Sequence, residues 1–471
     1  MKKSFKCAIS LLLAALMLSA VLAACGNGSQ VGEEKVSIEP MNEDPVYALS
    51  FDFLGGNDVM PITAYYGPRL STYSKNGEAL PEMINDQYYE MIQECGVNLI
   101  FYSPTNYEYT PEYIIEMLKL GEKYDIGHIV TDTKISSGAV TGTEAAARIN
   151  EYANYPSFCG VHVVDEPYLK GIIGNGTHDM SEFVPVFDLL KSLGITAVSN
   201  LLPSKSFSSD ENFEIYVQEF VDTCDAPYIC FDYYVFDKRL NVTDYFYNLS
   251  VYREAAEKME VPMWVCIQAG SQWNDSQKRF DSETPYFPNE KQFDWNINTS
   301  LAYGAKGLVY FPLIQPSWFA WAESTEFDFQ RNGLIGAWGN KTQWFYYAKD
   351  IQPHIAAVDE VLMNAVNKGV LVSGQQAIDE NTRSECILEG TAWRELANIS
   401  GDAMVGCFNY QGKTALYVVN YDREYAQHIN LTFHDTYKFS VIQDAQKSYY
   451  SGSQIELTMQ AGEGVLIVFE Q

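Results

Sequence analysis

Apolar and polar positions alternate in two different rhythms along this chain. From about residue 45 to 358, short apolar runs are separated by amphipathic stretches of helical period. Strands are predicted at 60–66, 97–102, 126–132, 160–166, 195–202, 228–234, 263–268 and 307–311. Between the first two, Met83, Ile84, Tyr88, Met91, Ile92 and Cys95 recur at helical spacing, and Gly96 closes the helix. The next helix opens at Thr110-Pro111-Glu112, with a capping hydroxyl, a proline at the first position and an acid in the first turn. Eight strands interleaved with helices over about 300 residues predict an α/β fold, a (β/α)8 TIM barrel. An open doubly wound sheet is the weaker alternative, because no glycine-rich phosphate loop follows an early strand. From 359 to 471 the helical period disappears. Strands are expected at 369–373, 404–410, 415–421, 428–433, 438–443, 454–459 and 464–469, divided by turns such as Gln411-Gly412-Lys413. That pattern predicts a small antiparallel β-sandwich.

The N-terminus follows neither rhythm. Lys2, Lys3 and Lys6 precede an apolar run from Cys7 to Ala24, short for a membrane span and shaped like a signal peptide. Its end, Leu22-Ala23-Ala24-Cys25-Gly26, resembles the lipobox of bacterial lipoproteins. The resemblance implies cleavage after residue 24 and a lipid on Cys25, hence an extracytoplasmic chain anchored to the bacterial cell membrane. Residues 25–44 are polar and aperiodic, and read as a tether.

Charge narrows the partners. The formal charge is −30, and loss of the three signal lysines takes it to −33. Such a surface excludes nucleic acid and electrostatic docking on anionic lipid, and suits a neutral ligand. The chain carries 33 Tyr and 8 Trp, side chains with an apolar face and a polar handle that fit sugar rings. Apart from Cys7 and Cys25, seven scattered cysteines remain, in apolar stretches where a thiol acts as a small hydrophobe. No CxxC pair or His/Cys cluster has metal spacing, so no metal and no cofactor are expected.

A barrel of this kind places its chemistry at the C-terminal ends of its strands. There the sequence offers Tyr65, Tyr66, Tyr102, Asp132, Asp165, Glu166, Asn200, Asp232, Tyr233, Tyr234, Gln268, Tyr310 and Phe311. Carboxylates among tyrosines and amides form the pattern of a carbohydrate site. The sharpest motif is Gly160-Val161-His162-Val163-Val164-Asp165-Glu166-Pro167, an apolar strand ending in two acids. A glutamate buried beside a second acid has its pKa raised, as a general acid requires. A helix-capping acid pair is the structural alternative. His162, within the strand, reads as core.

This stretch resembles the strand-four motif of the (β/α)8-barrel clan of retaining glycoside hydrolases, in its Asp-Glu-Pro form. The resemblance implies a proton-donor role for Glu166, with Asp165 where the clan has asparagine. Cys230–Tyr234, Trp264–Gly270 and Ser300–Phe311 resemble strands six to eight of secreted relatives, and Val418–Asp422 with Gly462–Leu466 resembles their β-sandwich. The clan's nucleophile glutamate ends strand seven, where this chain has Gln268, and an amide forms no glycosyl ester. Asp232 is therefore the preferred second carboxylate, followed by Glu323, Glu326 and Asp132. Tyr65, Tyr102, Tyr234, Asp165, Gln268, Trp273 and Trp318 are candidate substrate-binding residues. The expectation is a glycoside hydrolase acting on O-glycosidic bonds. The alternative is an inactive barrel that holds carbohydrate for a neighbouring enzyme or transporter.

Overall fold

The computed structural model describes residues 38–39, 41–49, 51–73, 77, 79–102, 110–138, 142–168, 179–236, 240–270, 273–274, 279–280, 287–316 and 332–470, with backbone only for Tyr102, 273–274 and 279–280. Cys25, Trp318, Trp321, Glu323 and Glu326 lie outside the described residues, as do the side chains of Tyr102 and Trp273. Glu39–Gln471 forms one compact unit.

Its first part is the expected barrel. The strands are β1 (Ile62–Tyr65), β2 (Leu99–Tyr102), β3 (Gly127–Val130), β4 (Phe158–Asp165), β5 (Ala197–Asn200), β6 (Ile229–Phe231), β7 (Met263–Gln268) and β8 (Gly307–Phe311). They pair in parallel in the order β5-β4-β3-β2-β1-β8-β7-β6. A single parallel bridge, Leu201 to Phe231, joins β5 to β6 and nearly closes the ring. Inward side chains fill the interior with Leu99, Phe101, Val198, Cys230, Trp264 and Val309 among others, so the barrel is a packed core rather than a pore.

Local chemistry explains the helices between the strands. In α1 (Asp86–Glu94) the Asn85 side chain accepts from Gln87 N–H, capping the helix, and Gly96 leaves it with φ 83°. Helix α2 (Pro111–Tyr124) starts at the expected proline, although the Thr110 hydroxyl makes no cap bond. The later helix α7 (Glu290–Ala302) is buried on nearly every side, because it lies between barrel and C-terminal domain. Among the described residues, no helix is long and apolar enough to cross a membrane.

The C-terminal domain is antiparallel, as expected. Its strands are β9 (Ala365–Ser373), β10 (Leu396–Ser400), β11 (Ala403–Tyr410), β12 (Lys413–Asn420), β13 (Gln427–Gln443), β14 (Gln446–Met459) and β15 (Gly464–Phe469). They form one seven-stranded sheet that curls around Leu371, Val405, Leu416, Leu431, Phe439 and Ile467. Two segments read as separate strands, 428–433 and 438–443, are the two halves of β13, joined across a register shift after Thr432. Strand β10 escaped the sequence reading; its five residues alternate only weakly in burial. The opposite face of the sheet packs on α7. There Trp295 Nε1 donates to Tyr421 O at 3.0 Å, Asn298 Nδ2 donates to Gly462 O at 2.8 Å, and Tyr417 O–H donates to Asn298 Oδ1 at 2.7 Å.

Candidate active site

The acid pair converges on the barrel mouth because β4 is irregular. A plain strand alternates, so with His162 inside, Val164 and Glu166 would follow it inward and Asp165 would face the helices. The register slips between His162 and Val164 against β5. Val163 and Val164 therefore both pack with the outer core, and Asp165 turns back inside opposite Asn200. Glu166 then takes a left-handed conformation, φ 45°, with its N–H donated to Asn200 O at 2.9 Å. Tyr66, directly after β1, is also left-handed at φ 65°. Backbones of this kind cost ~1–3 kcal/mol for a side-chain-bearing residue and concentrate where geometry serves a site.

Asp232 enters from the end of β6. Asn200 Nδ2 donates to Asp232 Oδ1 at 3.1 Å, and the Glu166 and Asp232 carboxyls hydrogen-bond each other. Asp165 accepts from Tyr65 O–H and from Asn200. Behind Tyr65 stands His162, with Nε2 3.4 Å from the tyrosine oxygen. Burial holds that imidazole neutral, its pKa pushed down to about 3. The neutral ring thus works as part of the packed barrel. Phe311 links the aromatic wall, 5.8 Å from Tyr65 and 5.1 Å from the stacked ring of Tyr234, centroid to centroid.

Electrostatics separate the three acids. Burial and then the neighbouring Asp232 and Asp165 push Glu166 well above the usual carboxylate range. Asp165 is pushed up to about 7, by burial first and by Asp232. Asp232 is raised too, again by burial, but the Lys205 ammonium, the Asn200 amide and the Glu166 hydrogen bond all favour its charged form. The arrangement thus favours protonation of Glu166 ahead of Asp232.

The other sequence candidates have other positions. Gln268 lies at the end of β7, yet its carboxamide is tied to backbone. It accepts from Phe236 N–H at 3.0 Å and donates to Phe236 O at 2.9 Å and Gly270 O at 3.0 Å, so it braces the loop after β6. Asp132 caps the short helix Thr133–Ser136 and meets Arg148 at 3.0 Å and Tyr152 O–H at 2.7 Å, so its carboxyl is taken up by structural partners. Lys205 and the amide role of Asn200 escaped the sequence reading. Lys205 follows β5 in a short turn, and its amine lies 5.0 Å from the Tyr233 ring centroid. With Tyr233, Tyr234, Asn241, Thr243 and Glu380 it lines a cavity of about 450 Å³ beside the mouth, within the range of small-ligand sites. Among the described residues no group of three or more His, Cys, Asp or Glu is placed to hold a metal ion.

No family model matches the sequence, and no curated protein matches it. The fold does match solved structures. A β-galactosidase from Bacillus circulans sp. alkalophilus superposes with a TM-score of 0.53 at 8% identity, covering 87% of this chain and 99% of that one. An isomaltulose synthase from Klebsiella sp. LX3 gives 0.47 at 7% identity over 88% and 99%. A β-L-arabinopyranosidase from Geobacillus stearothermophilus gives 0.43 at 9% identity over 90% and 98%. The chain thus has the architecture of glycoside hydrolase structures: a (β/α)8 barrel with an antiparallel sheet behind it.

Proposed function

We propose that this chain is a membrane-anchored glycoside hydrolase cleaving O-glycosidic bonds, with Glu166 as proton donor and Asp232 as its partner carboxylate. The observation that carries the reading is the paired Glu166 and Asp232 carboxyls at the rim of a hydrolase-type barrel, with burial and its acidic neighbours pushing Glu166 well above the usual carboxylate range. A sugar entering between them replaces that hydrogen bond. Glu166 gives its proton to the glycosidic oxygen as the C–O bond breaks, and the anomeric carbon takes the Asp232 oxygen as a glycosyl ester. Water then loses a proton to Glu166 and attacks the ester, releasing the sugar and restoring Asp232. Tyr65, Tyr234, Phe311 and Lys205 supply faces and donors for the hydroxyls. Carbohydrate binding without cleavage is the second reading, motivated by Gln268 in the place of a strand-seven nucleophile.

A panel of 4-methylumbelliferyl glycosides, β-galactoside included, and natural oligosaccharides tests both readings. The hydrolase reading expects turnover by the wild-type chain and its loss in Glu166→Gln on oligosaccharides. It also expects Asp232→Gly to be rescued by azide, with glycosyl azide as product. Binding of oligosaccharides with no product after long incubation establishes the second reading instead.

The first described residues are held against the C-terminal domain. Arg394 donates to Glu39 O at 2.7 Å, and Asp44 meets Lys368 and Asn409, each at 2.7 Å. Lys368 follows the C-terminal end of α8 (Gln343–Met363), and its neighbour Asn367 meets Gly304, just before the start of β8. That end of the unit is opposite the mouth. Cys25→Ser should move the chain from the membrane to the soluble fraction.

A further inference from the structure

Beneath Asp232, the barrel holds two thiols that the mechanism above does not use. Cys230 of β6 and Cys266 of β7 are each 1% exposed and free. Both reach one atom: Cys230 Sγ lies 3.4 Å and Cys266 Sγ 3.6 Å from Asn200 Oδ1. The same carboxamide donates upward, through Nδ2 to Asp232 Oδ1 at 3.1 Å and to the Asp165 carboxyl. A carboxamide has two orientations. One sets its oxygen on two S–H donors and its N–H bonds on two acids. The other presses the oxygen against the acids and leaves the N–H bonds facing sulfur, a poor acceptor. A buried donor or acceptor without a partner is costly, so the thiols decide the orientation.

We propose that Cys230 and Cys266 are positioning residues, whose paired thiols lock the Asn200 carboxamide with its amino group toward Asp232 and Asp165. This deepens the hydrolase reading and rests on it for the role of Asp232. The lock makes Asn200 a fixed donor to the charged carboxylate and so helps keep the negative charge on Asp232 rather than on Glu166. The titratable groups facing Asp232 are Asp165 and Glu166 at the end of β4, Lys205 after β5, Cys266 on β7, and the hydroxyls of Tyr216, Tyr234 and Tyr252. The cysteine variants leave every one of these groups but Cys266 in place.

The test is a carbon-13 NMR titration of aspartate-labelled full-length chain, with the Asp232 signal assigned by Asp232→Asn. Cys230→Ala/Cys266→Ala should move the Asp232 midpoint up by about one pH unit, the loss of one good donor. Cys230→Ser/Cys266→Ser, which keeps two donors, should restore it. Equal midpoints in all three chains overturn the proposal, as does a serine pair shifted as far as the alanine pair, which would mean packing alone. If the double alanine chain does not fold, Cys266→Ala should show a smaller shift of the same sign, and an unmoved midpoint overturns the proposal. In the wild-type chain, Asn200→Ala should raise the frequency of the hydrogen-bonded S–H infrared band. An unchanged band would also overturn it. None of these readouts needs turnover, so failure of every glycoside substrate would count against the hydrolase reading and not against the lock.

Discussion

Replacing Asp165 by asparagine should make the protein less sensitive to rising pH. Asp165 is pushed from 3.8 up to about 7 by burial and by Asp232. Between those values the folded chain binds a proton that the unfolded chain has lost, so wild-type stability falls as pH rises through the window. Three pKa units correspond to ~4 kcal/mol above pH 7, at 1.36 kcal/mol per unit. Asp165 is partly open to water at the mouth, and screening reduces the expected value to about 2 kcal/mol. Asparagine keeps an oxygen for the Tyr65 hydroxyl but carries no charge. It also removes one of the charges that raises Glu166, which acts in the same direction. For a folded unit spanning Glu39–Gln471, the unfolding entropy is on the order of 0.9 kcal/mol/K, so 2 kcal/mol moves the melting temperature by ~2 °C. Scanning calorimetry of both chains at pH 4 and pH 8 is the assay. The difference in Tm, variant minus wild type, should be ~2 °C more positive at pH 8. Comparing pH values cancels any fixed cost of the substitution, so parallel curves for the two chains would refute a raised Asp165 pKa.

Other perturbations test the supports of the site. Arg423 holds Glu380 through two bonds of 2.9 and 2.8 Å while lying 5.0 Å from the Trp295 ring centroid. Arg423→Met should cost about 2–4 kcal/mol in urea unfolding, and Glu380→Gln in the same chain should recover part of it. Lys306 is buried against the carbonyls of Leu362, Met363 and Ala365, so Lys306→Met should leave acceptors unpaired and cost on the order of 3 kcal/mol by the same measurement. Gly462 sits at φ 68°, where a Cβ would collide with the Lys291 carbonyl. Gly462→Ala should therefore cost about 2–4 kcal/mol and open the seam between α7 and the sheet, read as faster amide exchange at Asn298.

Burial asymmetry decides what the sequence revealed. The eight barrel strands were legible because both their faces are covered, which writes continuous apolar runs, and glycine and proline mark the intervening helices. Strands β7 and β8 match their expected bounds, 263–268 and 307–311, residue for residue. Strand β10 carries no such run, and β13 hides a bulge that reads as a break. The site follows the same logic one level down. Asp165, Glu166 and Asp232 were visible as acids at strand ends. Their convergence was not, because it depends on the slip in β4 that sends Val163 and Val164 to one face; two valines in a row look the same with or without it. The thiols were more legible than they were read. In β6 and β7 the period of two puts Cys230 on the face of Asp232, and Cys266 on the face of Gln268. Once the barrel is granted, that places two weak donors under the acid site. Their chemistry emerges only with Asn200 of β5, distant in sequence, whose oxygen they share. A residue type common in apolar cores thus acquires a polar task through its neighbours, and single-strand periodicity carries no record of that task.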